Sequence, residues 1–178
     1  RFLNDGKIVW ISENSGYKHI WMSKHSGSRT WPITEGKWEV SSITHIDEQN
    51  KLIYFIGNKE TVFERRLYSI RYDGTDLKLI TPEKGSHIVR MTGSNKYFID
   101  TYSNIELPRK ILLKELRTGK VVRVLGETDI KQFIEYEWSS PEIVHFPSLD
   151  STTTLDGMLI LPPDYTKSKK YPVIIHGY

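Results

Sequence analysis

Residues able to do chemistry are sparse in this 178-residue chain. The densest arrangement is His176-Gly177-Tyr178, which follows the apolar run Val173-Ile174-Ile175 behind the basic turn and proline of Lys169-Lys170-Tyr171-Pro172. A strand end of this kind can aim a side-chain donor or a backbone N–H at a reacting group. His176 is read as a strand-end residue and not as a general base. The G-x-S-x-G turn that exposes a serine nucleophile is absent from the sequence, and in proteins built on that turn the histidine comes after the nucleophile. The other five histidines, at 19, 25, 45, 87 and 145, show no metal-ligand spacing and are assigned to strands or turns. With no cysteine the chain has neither a disulfide framework nor a thiolate metal site, and no cofactor is expected.

Composition narrows the class. The chain is 38% hydrophobic, 26% charged and 12% aromatic, with ten tyrosines and five tryptophans, side chains that favour pleated, half-buried surfaces. A net charge of +3, spread along the whole chain, is too weak to point to nucleic acid. No segment approaches the run of about 20 apolar residues that a membrane helix needs. The chain opens at Arg1, without an initiator methionine and already in a strand-like pattern, so it reads as an excised fragment.

The elements that must position any site are repetitive. Gly6-Lys7-Ile8-Val9-Trp10-Ile11 aligns with Asn50-Lys51-Leu52-Ile53-Tyr54-Phe55 and Asn95-Lys96-Tyr97-Phe98-Ile99-Asp100, the lysines recurring at intervals of 44 and 45. The turn pairs Ser26-Gly27, Asp73-Gly74 and Thr118-Gly119 recur at 47 and 45. Each is followed by a short strand ending at Pro32-Ile33-Thr34, Leu79-Ile80-Thr81 or Val124-Leu125-Gly126. Four strands per roughly 45 residues, parted by glycine turns, is the pattern of a β-propeller blade. Strands are expected near 8–12, 19–24, 29–33, 39–46, 52–57, 66–72, 77–81, 87–92, 97–102, 110–116 and 121–125, giving two whole blades after three strands of an earlier one. A propeller ring takes four to eight blades. The flat faces of the outermost blades should therefore show apolar surface and drive self-association of the chain.

The pattern changes after Leu125. Ile130, Phe133 and Ile134 stand at helical spacing behind a Thr128 or Asp129 cap, and Ser140-Pro141 ends them, which predicts a short linker helix within 127–141. Two hairpin strands, Glu142–Pro147 and Thr154–Leu161, precede a Pro162-Pro163 loop and the final apolar strand. Lys167 to Lys170 reads as a solvated turn. Glu39 and Glu64 are read as strand charges, and Trp21 and Trp38 as blade packing.

Gly16-Tyr17-Lys18-His19-Ile20, Gly36-Lys37-Trp38-Glu39-Val40, Leu67-Tyr68 with Asp73-Gly74, Thr101-Tyr102-Ser103, Leu155-Asp156-Gly157-Met158, Pro162-Pro163-Asp164-Tyr165 and Lys169-Lys170-Tyr171-Pro172-Val173 together resemble the dipeptidyl peptidase IV family of serine peptidases. The resemblance covers essentially the whole chain. It implies a mainly β fold: a partial β-propeller of two to three four-stranded blades in 1–126, a linker in 127–141, and in 142–178 the first strands of an α/β-hydrolase domain. It implies a parent enzyme that removes dipeptides, often after proline, from peptide amino termini, and a location that is periplasmic, secreted or membrane-tethered. All three triad residues and the glutamates that grip the substrate's amino terminus would lie outside this chain, leaving it inactive alone. By the same resemblance Tyr178 donates its hydroxyl to the oxyanion of the tetrahedral intermediate. An alternative is a backbone N–H near Gly177, since His176-Gly177 departs from the usual bulky pair. A second functional class, a non-catalytic propeller that binds protein or peptide, stays open at this point.

Overall fold

A computed structural model describes residues 1–27, 29–131, 136–137 and 139–177. The chain divides into two compact units, Arg1–Thr128 and Asp129–Tyr178. The first unit contains three antiparallel sheets, each a meander of sequential strands. The opening sheet holds β1 (Ile8–Ser12), β2 (His19–Ser23) and β3 (Thr30–Pro32). The middle one holds β4 (Val40–Asp47), β5 (Leu52–Gly57), β6 (Arg66–Arg71) and β7 (Lys78–Leu79), and the last β8 (Ser86–Met91), β9 (Tyr97–Ser103), β10 (Lys110–Glu115) and β11 (Val121–Glu127). These are blades of a partial β-propeller. Strand β4 contacts β8, so these first strands converge and form the inner edge of the array.

The alternation of side chains along each strand explains the stacking. Ile53, Phe55, Tyr68 and Ile70 leave one face of the middle sheet and join Val9, Ile20, Met22, Ile33 and Trp38 in one buried cluster. Tyr54 and Leu67 leave the opposite face and, with Ile80, pack on Phe98 and Leu116 of the last blade. The middle blade is thus buried on both sides, which accounts for the nearly unbroken apolar reading of Leu52–Gly57.

Two repeated devices lock the blades. Ile33 and Ile80 donate their N–H to the carbonyls of Ile20 and Leu67, at 2.7 and 2.8 Å. The following threonines, Thr34 and Thr81, accept the N–H of the same Ile20 and Leu67, each at 2.9 Å. The freed carbonyls of Ile33 and Ile80 then face the turn glycine of the next blade, Gly74 (φ +81°) and Gly119 (φ +70°) respectively. Glycine suits both positions for its left-handed backbone, and at Gly119 its missing Cβ is required as well.

In the second unit β12 (Glu142–Pro147) pairs antiparallel with β13 (Thr154–Leu159). The helix expected within 127–141 falls largely on 132–135 and 138, which lie outside the described residues. The expected final strand is corrected: residues 171–177 join no ladder among the described residues. A doubly apolar strand needs a neighbour on at least one edge and cover on its faces. Neither reaches this run, and Val173, Ile174 and Ile175 are 79%, 96% and 90% exposed.

Candidate functional site

The C-terminal motif begins with a loop closed on itself. The Tyr171 hydroxyl accepts the Thr166 N–H at 3.0 Å and donates to the Asp164 carbonyl at 3.3 Å, while the Tyr165 and Tyr171 rings lie 5.3 Å apart. The Pro162–Tyr171 loop is therefore closed by side chains that belong to the motif itself. Beyond it His176 is exposed, and with residues 171–177 in no ladder it ends no strand among the described residues. Gly177 has open space around it. Tyr178 lies outside the described residues.

In the propeller unit, a groove of about 550 Å³ runs between the inner strands β4 and β8, lined by Ser42, Thr44, Arg65, Ser86, Ile88 and Met91 among others. The Arg65 guanidinium is turned back onto its own loop, donating to the carbonyls of Val62 and Glu64 at 2.9 and 3.1 Å. The groove thus presents hydroxyls and apolar side chains; His87 also lines it, with its ring committed to Asp100 and to the Glu83 carbonyl. Glu64 Oε2 accepts from both Nε and Nη2 of Arg66, whose Nη1 donates to the Pro82 carbonyl at 3.2 Å; the arginine thus ties the β5–β6 loop to the next crossover. Glu39 contributes its backbone, donating its N–H to the Asn58 side chain at 2.6 Å and accepting the Asn58 N–H at 3.1 Å. Trp38 is a core residue, edge-on to His19 and stacked on Phe55. Trp21 stands directly opposite Trp10 in the β1–β2 ladder.

The histidines separate by what surrounds them. His19 is buried between the Thr34 hydroxyl (3.1 Å from Nδ1) and the Gly36 carbonyl (3.0 Å from Nε2). A neutral ring that accepts from Thr34 and donates to Gly36 satisfies both contacts. His45 is half-buried, and desolvation holds its ring below the usual imidazole range. His145 faces Asp156 across the β12–β13 ladder at 2.6 Å and is exposed. His25 is exposed at the β2–β3 turn.

Sequence reasoning missed a fourth environment. His87, Asp100 and Lys114 are buried completely at their side chains in the last blade. Lys114 Nζ lies 2.9 Å from Asp100 Oδ2 and 2.7 Å from Glu83 Oε1, and His87 Nδ1 lies 2.9 and 3.0 Å from the two Asp100 oxygens. The signal was present in the alternation. Phe98, Asp100 and Tyr102 share one face of β9, and Leu112 and Lys114 share the matching face of β10, so two opposite charges stood at core positions.

Comparison with known proteins settles the lineage. Residues 1–109 match the family described as dipeptidyl peptidase IV (DPP IV) N-terminal region. The chain belongs to the dipeptidyl peptidase IV family. Among relatives, dipeptidyl peptidase 4 of Trichophyton rubrum is 30% identical over 176 residues, covering 96% of this chain and 22% of its own length. Dipeptidyl peptidase 4 of Arthroderma otae is 30% identical over 178 residues, again with 96% and 22% covered. The crystal structure of Porphyromonas gingivalis dipeptidyl peptidase 4 superposes on 97% of this chain with a TM-score of 0.86 at 22% identity, and this chain covers 24% of it. The likeness at that identity carries the fold. This dipeptidyl peptidase IV family chain therefore spans under a quarter of the length of those relatives, and its family-model match ends just ahead of β10.

Proposed function

We propose that this chain forms the closing blades of the propeller and the opening strands of the α/β-hydrolase domain of a serine exopeptidase that releases dipeptides, often after proline, from peptide amino termini. The observation that carries the reading is the family match over the blades, joined to relatives named dipeptidyl peptidase 4 that align with nearly the whole chain. The propeller part gates the approach of the peptide substrate, and the groove between β4 and β8 is the surface that such a peptide would pass. The β12–β13 hairpin and the run to Tyr178 are the start of the catalytic sheet, and residues 172–177 become a strand when neighbouring strands cover them.

In this reading the Tyr178 hydroxyl meets the oxyanion, a preorganised donor contributing on the order of 3 kcal/mol to the transition state. In the whole protein, Tyr178→Phe should lower kcat on the order of a hundredfold with little change in KM. An unchanged kcat removes the side chain from the mechanism and leaves the Gly177 backbone N–H in its place. The chain by itself, lacking a G-x-S-x-G turn, should not cleave a glycyl-prolyl chromogenic substrate; turnover blocked by a serine-directed reagent would overturn the assignment. Alone it should also self-associate through its outer blade face, where Ile88 is 64% exposed, and a monomer at high concentration in sedimentation would contradict that.

A further inference from the structure

The mechanism proposed above makes no use of the charges buried in the last blade, and their hydrogen bonding constrains a protonation state. His87 Nδ1 faces both oxygens of Asp100, and its Nε2 faces the backbone carbonyl of Glu83 at 3.0 Å. Both neighbours accept hydrogen bonds, and with Asp100 kept ionised by Lys114 Nζ at 2.9 Å neither can donate one. A neutral imidazole has a single N–H, so one nitrogen lone pair would point at an oxygen lone pair inside the protein; only the doubly protonated ring satisfies both contacts. His19, buried in the same unit, has a hydroxyl that can donate to Nδ1 and so is satisfied as a neutral ring.

Charge balance reaches the same conclusion independently. Asp100 and Glu83 bring two negative charges and Lys114 one positive, so a neutral His87 would leave one excess negative charge on a site where the Asp100, Lys114 and His87 side chains are inaccessible to solvent and only Glu83, 31% exposed, reaches water. The Tyr102 ring adds a third argument. It lies parallel to His87 with centroids 4.9 Å apart and has Lys114 Nζ 5.6 Å from its centre, presenting its electron-rich face to cations. The other charged neighbours are turned away: Arg65 meets His87 through its backbone carbonyl, which accepts the His87 N–H at 2.7 Å, and Arg66 is committed to Glu64 and the Pro82 carbonyl.

We propose that His87 is held as an imidazolium, the fourth charge of a neutral quartet with Asp100, Lys114 and Glu83, and that this quartet is a proton-dependent clasp of the last blade onto the crossover that leads into it. Glu83 lies on the crossover from β7 to β8, Asp100 on β9 and Lys114 on β10, with His87 on the inner strand β8. The four charges therefore fasten the crossover to three strands of the last blade. The proton on His87 completes the clasp, tying the inner strand that borders the β4–β8 groove to Asp100 on β9. This inference does not depend on the peptidase reading.

Long-range proton–nitrogen correlation spectra of the chain labelled with ¹⁵N-histidine test it at about pH 7.5, where a free imidazole is mostly neutral. The His87 ring is assigned by its contacts with the Tyr102 ring, so no variant is needed. The expected result is a cationic pattern, both nitrogens protonated, for His87, beside a neutral tautomer for His19. A neutral tautomer for His87 overturns the proposal. Asp100→Asn removes one negative charge, and in a folded variant His87 should change to the neutral pattern; a ring that stays cationic there refutes the charge-balance argument. Should that variant fail to fold, the wild-type spectrum decides alone.

Discussion

Gly27, Gly74 and Gly119 occupy the same turn in three blades, yet the structure assigns them unequal costs of substitution. All three have positive φ, at +66°, +81° and +70°. Alanine at any of them bears about 1 kcal/mol for a left-handed backbone. Space then separates them. A Cβ on Gly27 meets nothing within 4 Å, one on Gly74 stands 3.2 Å from the Ile33 carbonyl oxygen, and one on Gly119 overlaps the Ile80 carbonyl oxygen far inside van der Waals contact. Relief at Gly119 requires the turn to pull away from the middle blade, loosening the cluster of Ile80, Leu116, Phe98, Tyr54 and Leu67. Overpacking of that kind adds about 1–3 kcal/mol. We expect Gly27→Ala to lose about 1 kcal/mol, Gly74→Ala slightly more, and Gly119→Ala about 3 kcal/mol. At about 2–4 °C per kcal/mol for a chain of this size, Gly119→Ala should lower Tm on the order of 10 °C and Gly27→Ala only a few degrees. Thermal and urea unfolding of the three variants measure the series directly. Equal losses at Gly27 and Gly119 would show that the turn does not bear on Ile80, and the blade-locking argument would fall.

Three further outcomes follow from buried or strained groups. Lys114→Met strips the cation from Asp100 and Glu83 and should destabilise by about 3–5 kcal/mol, read as a lower urea midpoint. Lys51 holds φ at 55° on an exposed turn, so Lys51→Gly should leave stability unchanged or raise it by up to about 1 kcal/mol, whereas a loss would mean that the lysine side chain makes a needed contact. Burial, with Glu48, Asp5 and Asp47 nearby, pushes the Tyr72 phenol up to about 12. The folded state then keeps that proton above about pH 10, where the unfolded chain gives it up, so the Tyr72 contribution is complete below pH 10 and is lost as pH rises toward 12. The alkaline decline in stability should accordingly be shallower in Tyr72→Phe, and identical pH profiles would contradict the shift.

Strand content and the blade period were legible because they rest on alternation and turn chemistry, which are local. The recurring lysine at 7, 51 and 96 marks the first hairpin of each blade, but the left-handed residue falls at Gly6, Lys51 and Asn95, one position later in the middle blade. Alignment by residue identity hides that offset, since backbone conformation follows turn length and not the lysine. The fourth strand of the middle blade shrinks from the expected 77–81 to Lys78–Leu79, because Ile80 and Thr81 bond to the end of β6 and no longer run beside it. Val173–Ile175 has strand composition without strand structure, since a ladder is a property of two chains' segments and composition describes one. The Lys114 quartet could have been read from the inward face of β9 and β10. It is not evident from one strand alone, because a charge in an apolar strand looks like an edge residue until its partner on the neighbouring strand is known.

The two blade interfaces are built on different physics. Between the first and middle blades, Trp38, Phe55 and Tyr68 stack within a wide apolar cluster, an arrangement that tolerates small slips because dispersion and burial have little directional preference. Between the middle and last blades the apolar cluster is smaller, and the Glu83–Lys114–Asp100–His87 charges lie beside it. Such a buried network adds little net stability over an apolar core of the same volume. Its effect is selective. A one-residue slip of β10 against β9 would turn Lys114 to the outer face and leave Asp100 and Glu83 without their lysine, so that slip is penalised. The last blade is therefore held against that slip by charges that meet in the observed register, while the first interface is held by bulk.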